Sequence, residues 1–164
     1  MKKTLLPLLL LPLAVIMLFV FAKCEDDEQT IELPTTIQNY LSTNYAGYEI
    51  EESERDSLCT GTAVYEVELE GPKDKEVELT FDTEGNLLFT ETEIKASELP
   101  SAVSGSISSK YAGYTVKEAE RLDQADGTTQ YEVELKKDKT YLEVLFAADG
   151  TVICEEAGDG DDDE

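Results

Sequence analysis

Two stretches of this chain are near copies of one another. Leu33-Pro34-Thr35-Thr36-Ile37 leads into Tyr45-Ala46-Gly47-Tyr48, and Leu99-Pro100-Ser101-Ala102-Val103 leads into Tyr111-Ala112-Gly113-Tyr114. The offset, Leu33 to Leu99, is about 66 positions, too long for a solenoid repeat and about right for a small folding unit. A duplicated unit restricts the fold more than any composition figure, because one packing solution has to serve both copies.

In the first copy Leu33, Ile37, Leu41 and Tyr45 recur every four residues, with Tyr40 beside them, which is one face of an amphipathic helix. Pro34 suits the first turn and Gly47 the stop. Period-2 stretches follow. Tyr48 and Ile50 open one strand; Tyr65-Glu66-Val67-Glu68-Leu69 and Val77-Glu78-Leu79-Thr80-Phe81 alternate cleanly; Asn86-Leu87-Leu88-Phe89 begins a fourth. Gly61, Gly71-Pro72 and Glu84-Gly85-Asn86 punctuate them. Links this short imply antiparallel hairpins. The second copy rebuilds the helix stripe with Leu99, Val103, Ile107 and Tyr111, and the strands with Tyr131, Val133, Leu135, Leu142, Val144 and Phe146.

The expected fold is therefore α+β: two tandem repeats, each one helix plus a four-stranded antiparallel sheet, with the helices packed on one sheet face. The expected boundaries are a signal segment at 1–23, an acidic tether at 24–32, repeats at 33–94 and 99–156, and an acidic tail at 157–164. Each repeat is small for a self-sufficient core, so the two are expected to pack together, one arrangement being a continuous curved sheet with both helices on the same side.

Met1-Lys2-Lys3 and the apolar run from Leu5 to Ala22 read as an export signal or, since the run is long for one, as an uncleaved membrane anchor. Cys24, followed by Glu25-Asp26-Asp27-Glu28, resembles the lipidation site and acidic tether of Bacteroidetes surface lipoproteins; Lys23 departs from that pattern, and a cut after Ala22 is the rival. Either way the chain is expected outside the cytoplasm: anchored to the outer membrane through a lipid on Cys24, or secreted or periplasmic.

Lys plus Arg is 13, Asp plus Glu is 37, and there is no His, for a net charge of −24. Such a surface repels nucleic acid and anionic lipid, and it allows a basic or metallic partner without requiring one. Without His there is no Ser-His or Cys-His nucleophile pair and no His-ligated zinc. No catalytic, cofactor or metal residue is expected, and no enzymatic activity. Asp159, Asp161 and Asp163 alternate as in part of a calcium loop but lack the distant Glu, and read as a solvated tail.

The candidate binding residues are the glutamates of the strand face turned away from the helices: Glu66, Glu68, Glu78, Glu132, Glu134 and Glu143. Two readings stay open for them, a solvated face that blocks aggregation and a surface that steers a basic protein partner. Arg55 and Arg121, the chain's two arginines, occupy matching positions after Glu54 and Glu120. They read as cross-strand partners of glutamate or as contacts at the rim of a binding face, and the alternation around them implies a bulge or an overhanging strand end. Cys59 and Cys154 read as a bridge or, for Cys154 in the place of Phe89, as a small buried hydrophobe.

The Leu-Pro start, the aliphatic three positions on, Tyr-x-Gly, Tyr-Glu-Val-Glu-Leu and the closing Gly turn together resemble the PepSY-like family, which is also described as similar to β-lactamase inhibitor proteins. Both copies match, over nearly all of residues 33–156. Ala46 and Ala112 stand where such proteins often carry Pro. The resemblance implies an exported protein of paired helix-plus-four-strand units, and its name implies a hydrolase-inhibitor-like protein-binding module. A structural or cation-binding surface protein with no single partner is the alternative.

Overall fold

The structure is a computed structural model, and it describes residues 31–73 and 75–158. The signal segment, Cys24, most of the tether and the tail aspartates Asp159, Asp161 and Asp163 lie outside the described residues. Among the described residues, no helix is long and apolar enough to cross a membrane.

The first half runs α1 (Thr35–Asn44), β1 (Glu49–Ser57), β2 (Ala63–Gly71), β3 (Lys75–Asp82) and β4 (Leu87–Glu93). A 3-10 turn at Ala96–Glu98 leads to α2 (Ser101–Lys110), β5 (Thr115–Gln124), β6 (Thr129–Lys137), β7 (Thr140–Ala147) and β8 (Val152–Ala157). Pro34 and Pro100 cap the two helices, and Gly47 and Gly113 take φ of +93° and +90° just beyond their ends, where a side chain would be strained.

The expected pair of four-stranded units is overturned. All eight strands form one antiparallel sheet in the order β1-β2-β3-β4-β5-β6-β7-β8. The seam between the copies is an ordinary ladder, from Phe89↔Gln124 to Glu93↔Glu120. Two separate sheets would leave the backbone of β4 and β5 unpaired at an edge, and pairing them satisfies it. The helices are minor elements of ten residues, each burying two side chains, Ile37 and Leu41 or Val103 and Ile107.

Two apolar clusters result. Tyr65, Val67, Leu69, Leu79 and Phe81 join Ile37 and Leu41 in one. Val133, Leu135, Val144 and Phe146 join Val103 and Ile107 in the other. Full burial of each such side chain stabilises by roughly 1.5–3 kcal/mol.

The sheet is strongly curled. Flat, its edge strands would lie about 33 Å apart, seven spacings of ~4.8 Å. Instead Cys59, in the loop after edge strand β1, is disulfide-bonded to Cys154 on the opposite edge strand β8, with Cα atoms 6.1 Å apart. Four bulges sit in matching positions of the two copies. The register shifts between Ile50 and Glu52 and between Val116 and Glu118, and again where Leu88 and Ile153 are left unopposed. Each bulge bends its strand and sharpens its twist. The side chains facing away from the helices line the inside of the curl.

Candidate functional site

The bulges decide which side chains enter the concavity. The shifts after Ile50 and Val116 bring Glu54 opposite Glu66 and Glu120 opposite Glu132. The shift at Leu88 leaves Leu87 against the apolar cluster and puts Phe89 opposite Thr80, on the concave side. Its counterpart at Ile153 does the same for Val152 and Cys154.

The concave face holds two adjoining hollows of about 390 and about 540 Å³, which share Glu78, Glu91 and Glu120 in their walls. The first is touched by residues of all eight strands and roofed by the loop that carries Cys59. One end of it is apolar, with Leu88, Phe89, Leu122, Leu145 and Ile153. The second is walled mostly by carboxylates, with Lys75 and Glu76 at its margin. Together they form a groove with a greasy end and an acidic middle.

The acidic middle is built from like charges placed face to face. Glu68↔Glu78, Glu78↔Glu91, Glu93↔Glu120 and Glu120↔Glu132 are direct cross-strand partners. Such pairs repel and destabilise the charged form. Burial and like-charged neighbours raise Glu66, Glu91, Glu120 and Glu132 well above the usual carboxylate range. Burial, then Glu78 and Glu120, pushes Glu91 up to about 9, against the opposing hydrogen bond that the Thr80 hydroxyl donates to Glu91 Oε1 at 3.0 Å. Burial, with Asp56 and Glu78 next, lifts Glu66 to about 7. Burial raises Glu120 to about 7 with help from Glu78, and Glu132 to about 7 with help from Glu120. Glu68 and Glu78 are raised by the same causes.

All six glutamates read from the sequence lie on this face, and each is half-buried. Glu66, Glu78, Glu132 and Glu143 line the first hollow and Glu68 the second, while Glu134 stands between Glu118 and Glu143 in the ladder. A fully solvated face is thereby corrected, because the curl folds the carboxylates in toward one another. Arg55 and Arg121 are on the other face. Arg55 is opposite Tyr65 and donates to its hydroxyl at 2.9 Å; Arg121 is opposite Tyr131 and pairs with Asp123 at 3.0 Å. Neither has the glutamate partner expected of it, and neither reaches the groove.

Sequence reasoning missed Glu91, Gln124 and the apolar end. Glu91 was signalled by Thr90-Glu91-Thr92-Glu93, an alternation that continues the fourth strand. Nothing signalled Phe89, since its side depends on the bulge. Gln124 is opposite Phe89, and its Nε2 is a buried polar atom with no hydrogen-bond partner among the described residues. Among those residues, no three acidic or thiol side chains are grouped to hold a metal ion.

Solved structures with the same fold come from Bacteroides species. One is a DUF2874 family protein from Bacteroides uniformis ATCC 8492, with a TM-score of 0.56 and 17% identity, covering 77% of this chain and 90% of that one. Another is a BLIP-like protein from Bacteroides fragilis NCTC 9343, with 0.52 and 23%, covering 85% and 96%. A third, from Bacteroides eggerthii DSM 20697, bears the description "putative periplasmic proteins", with 0.56 and 14%, covering 77% and 90%. At these identities the likeness is one of fold. Comparison with curated proteins gives no match. The family model described as "Putative beta-lactamase-inhibitor-like, PepSY-like" matches twice, over residues 27–89 and 88–154, the second match beginning as the first ends on β4. Two matches that overlap by two residues inside one sheet, and that together reach all eight strands, make this chain a member of the PepSY-like family, with the family's unit present in duplicate.

Proposed function

We propose that the protein is a non-enzymatic binding module of the cell envelope whose concave sheet face receives a protein partner. The observation that carries this reading is the groove itself: a hollow touched by all eight strands, in which carboxylates are held half-buried and face to face. Folding alone gives no reason to assemble groups that repel one another, and a partner bearing positive charge would relieve them. The family's inhibitor-like description and the BLIP-like and periplasmic neighbours support a binding role outside the cytoplasm. In this reading Cys24 carries the lipid that holds the module at the outer membrane, and the partner is an exported protein such as a hydrolase.

The test uses the full-length protein, processed through its own signal and tagged at the C-terminus, with captured envelope proteins compared between variants. Capture should be lost in Glu66→Lys/Glu132→Lys and kept in Glu84→Lys, an exposed turn residue outside the groove. Capture that survives the groove reversal, or no capture at all, would favour a surface protein with no single partner.

A further inference from the structure

Three features of the groove each call for a different part of one occupant. The apolar end, with Phe89 and Leu122 nearly fully buried and Leu145 and Ile153 on the wall, offers a seat to an aliphatic side chain. The acidic middle, where Glu78, Glu91 and Glu120 belong to both hollows, offers three half-buried carboxyl groups that a bound cation would hold ionised. At the apolar end, opposite Phe89 and separated from Glu120 by Leu122, Gln124 carries an amide donor that no described residue accepts, and a main-chain carbonyl is the commonest acceptor that could satisfy it. The two hollows run on from one another, so the space is elongated, and it offers no grouped ligand set for a bare metal ion.

Resting on the binding-module reading above, we propose that the groove takes an extended polypeptide segment in which apolar and basic side chains alternate. An apolar side chain sits between Phe89 and Ile153, and a lysine or arginine reaches Glu78, Glu91 and Glu120. Glu78, Glu91 and Glu120 stand on β3 to β5, and Leu145 and Ile153 stand across the curl on β7 and β8; successive side chains of an extended chain point to opposite sides, so neighbouring basic and apolar residues can address these two walls in turn. The sign of the groove and its apolar end together exclude an acidic peptide and disfavour a purely polar polycation, which would leave the apolar end wet.

The probes are three capped heptapeptides, alternating leucine with lysine, serine with lysine, and leucine with glutamate, titrated into the full-length protein near physiological salt so that long-range attraction is screened. The leucine–lysine peptide should bind at least about tenfold more tightly than either other peptide, an amount equivalent to ~1.4 kcal/mol. Glu91→Gln and Ile153→Asn should each reduce that affinity by a similar factor; Ile153 is 40% exposed, so its variant tests the wall with the core left intact. Equal binding of the serine–lysine peptide, or leucine–lysine binding untouched by both variants, overturns the proposal. So does failure of all three peptides to bind. If capture of an envelope protein still depends on Glu66 and Glu132 in that case, the occupant chemistry is wrong and the binding module stands.

Discussion

Glu78 on β3 and Glu91 on β4 are direct cross-strand partners on the concave face; Glu78 raises the proton affinity of both Glu91 and Glu120, and Glu120 of β5 raises that of Glu91 further. In the folded chain Glu91 holds its proton up to about 9, and Glu66, Glu120 and Glu132 hold theirs to about 7. The unfolded chain releases them near 4.5, so through this range the folded state binds more protons than the unfolded one. Stability is then highest at the acid end and is lost as pH rises through about 7 and on to 9. The opposing aspartates do not interfere: Asp82, lowered by its hydrogen bonds from Asn86, acts below the ordinary aspartate range. The melting temperature should fall by ~5–10 °C between pH 5 and pH 9. Glu91→Gln should flatten that slope, most of all above pH 7. A melting temperature that rises with pH over this window would contradict the buried-carboxylate account.

The Cys59–Cys154 bridge spans 95 residues and ties the first hairpin's loop to the last strand. A loop of that length loses much chain entropy when closed, so removing the bridge should cost roughly 4 kcal/mol. Cys59→Ser/Cys154→Ser should therefore unfold at lower denaturant, with a somewhat steeper slope because the unfolded chain is no longer cross-linked. It should also exchange amide hydrogens faster in β8 and in the 58–62 loop than in β2 or β6, because the roof of the groove is released while the central ladder stays paired. Uniformly faster exchange across the sheet would mean that the bridge supports the whole fold rather than the curl.

Period and spacing in the sequence reveal the local elements because each is decided locally. Ile37 and Leu41 repeat at helical spacing and are buried; Val67 and Glu68 alternate and face opposite sides. The bulge before Glu54 is legible because the glutamates there break the parity begun at Ile50. What alternation cannot report is curvature. The same Tyr-Glu-Val-Glu-Leu pattern describes a flat sheet with one wet face and a curled sheet with carboxylates turned inward. Nor does it name edge partners, since the hydrogen bonds from Phe89 to Gln124 through Glu93 to Glu120 involve backbone that every sequence possesses. The groove's apolar end was hidden for a third reason: a single unopposed residue, Leu88, moves Phe89 from one face to the other.

Gly150 in the β7–β8 turn has φ of +82°, and a β-carbon there would strike the backbone carbonyl of Ala102 in α2. Its counterpart Gly85 has φ of +88° and lies against the Thr36 side chain in α1. The first obstacle is backbone and cannot rotate away, whereas the Thr36 hydroxyl can, leaving only its Cβ, 2.8 Å away, to be relieved by a small shift. Gly150→Ala should therefore destabilise by about 2 kcal/mol or more, combining positive φ with the clash, and Gly85→Ala should cost less. Chemical denaturation of the two variants ranks them, and a larger loss at Gly85 would mean that α2 shifts more freely than α1.

The seam between β4 and β5 makes a prediction about cooperativity. Were the copies separate domains, Phe81→Ala would lower the melting of the first half and Phe146→Ala that of the second. Both side chains are fully buried, one in each apolar cluster, and each truncation should cost about 3–5 kcal/mol. Because one ladder runs from β1 to β8, opening either cluster frees a strand that the other half is paired to. Calorimetry should then show one transition in the wild type and in both variants, with calorimetric and van't Hoff enthalpies in agreement. Each variant should shift the entire peak. Two peaks, with only one displaced by each substitution, would show that the shared sheet does not couple the halves, and that the duplicated units are energetically independent despite their common hydrogen bonds.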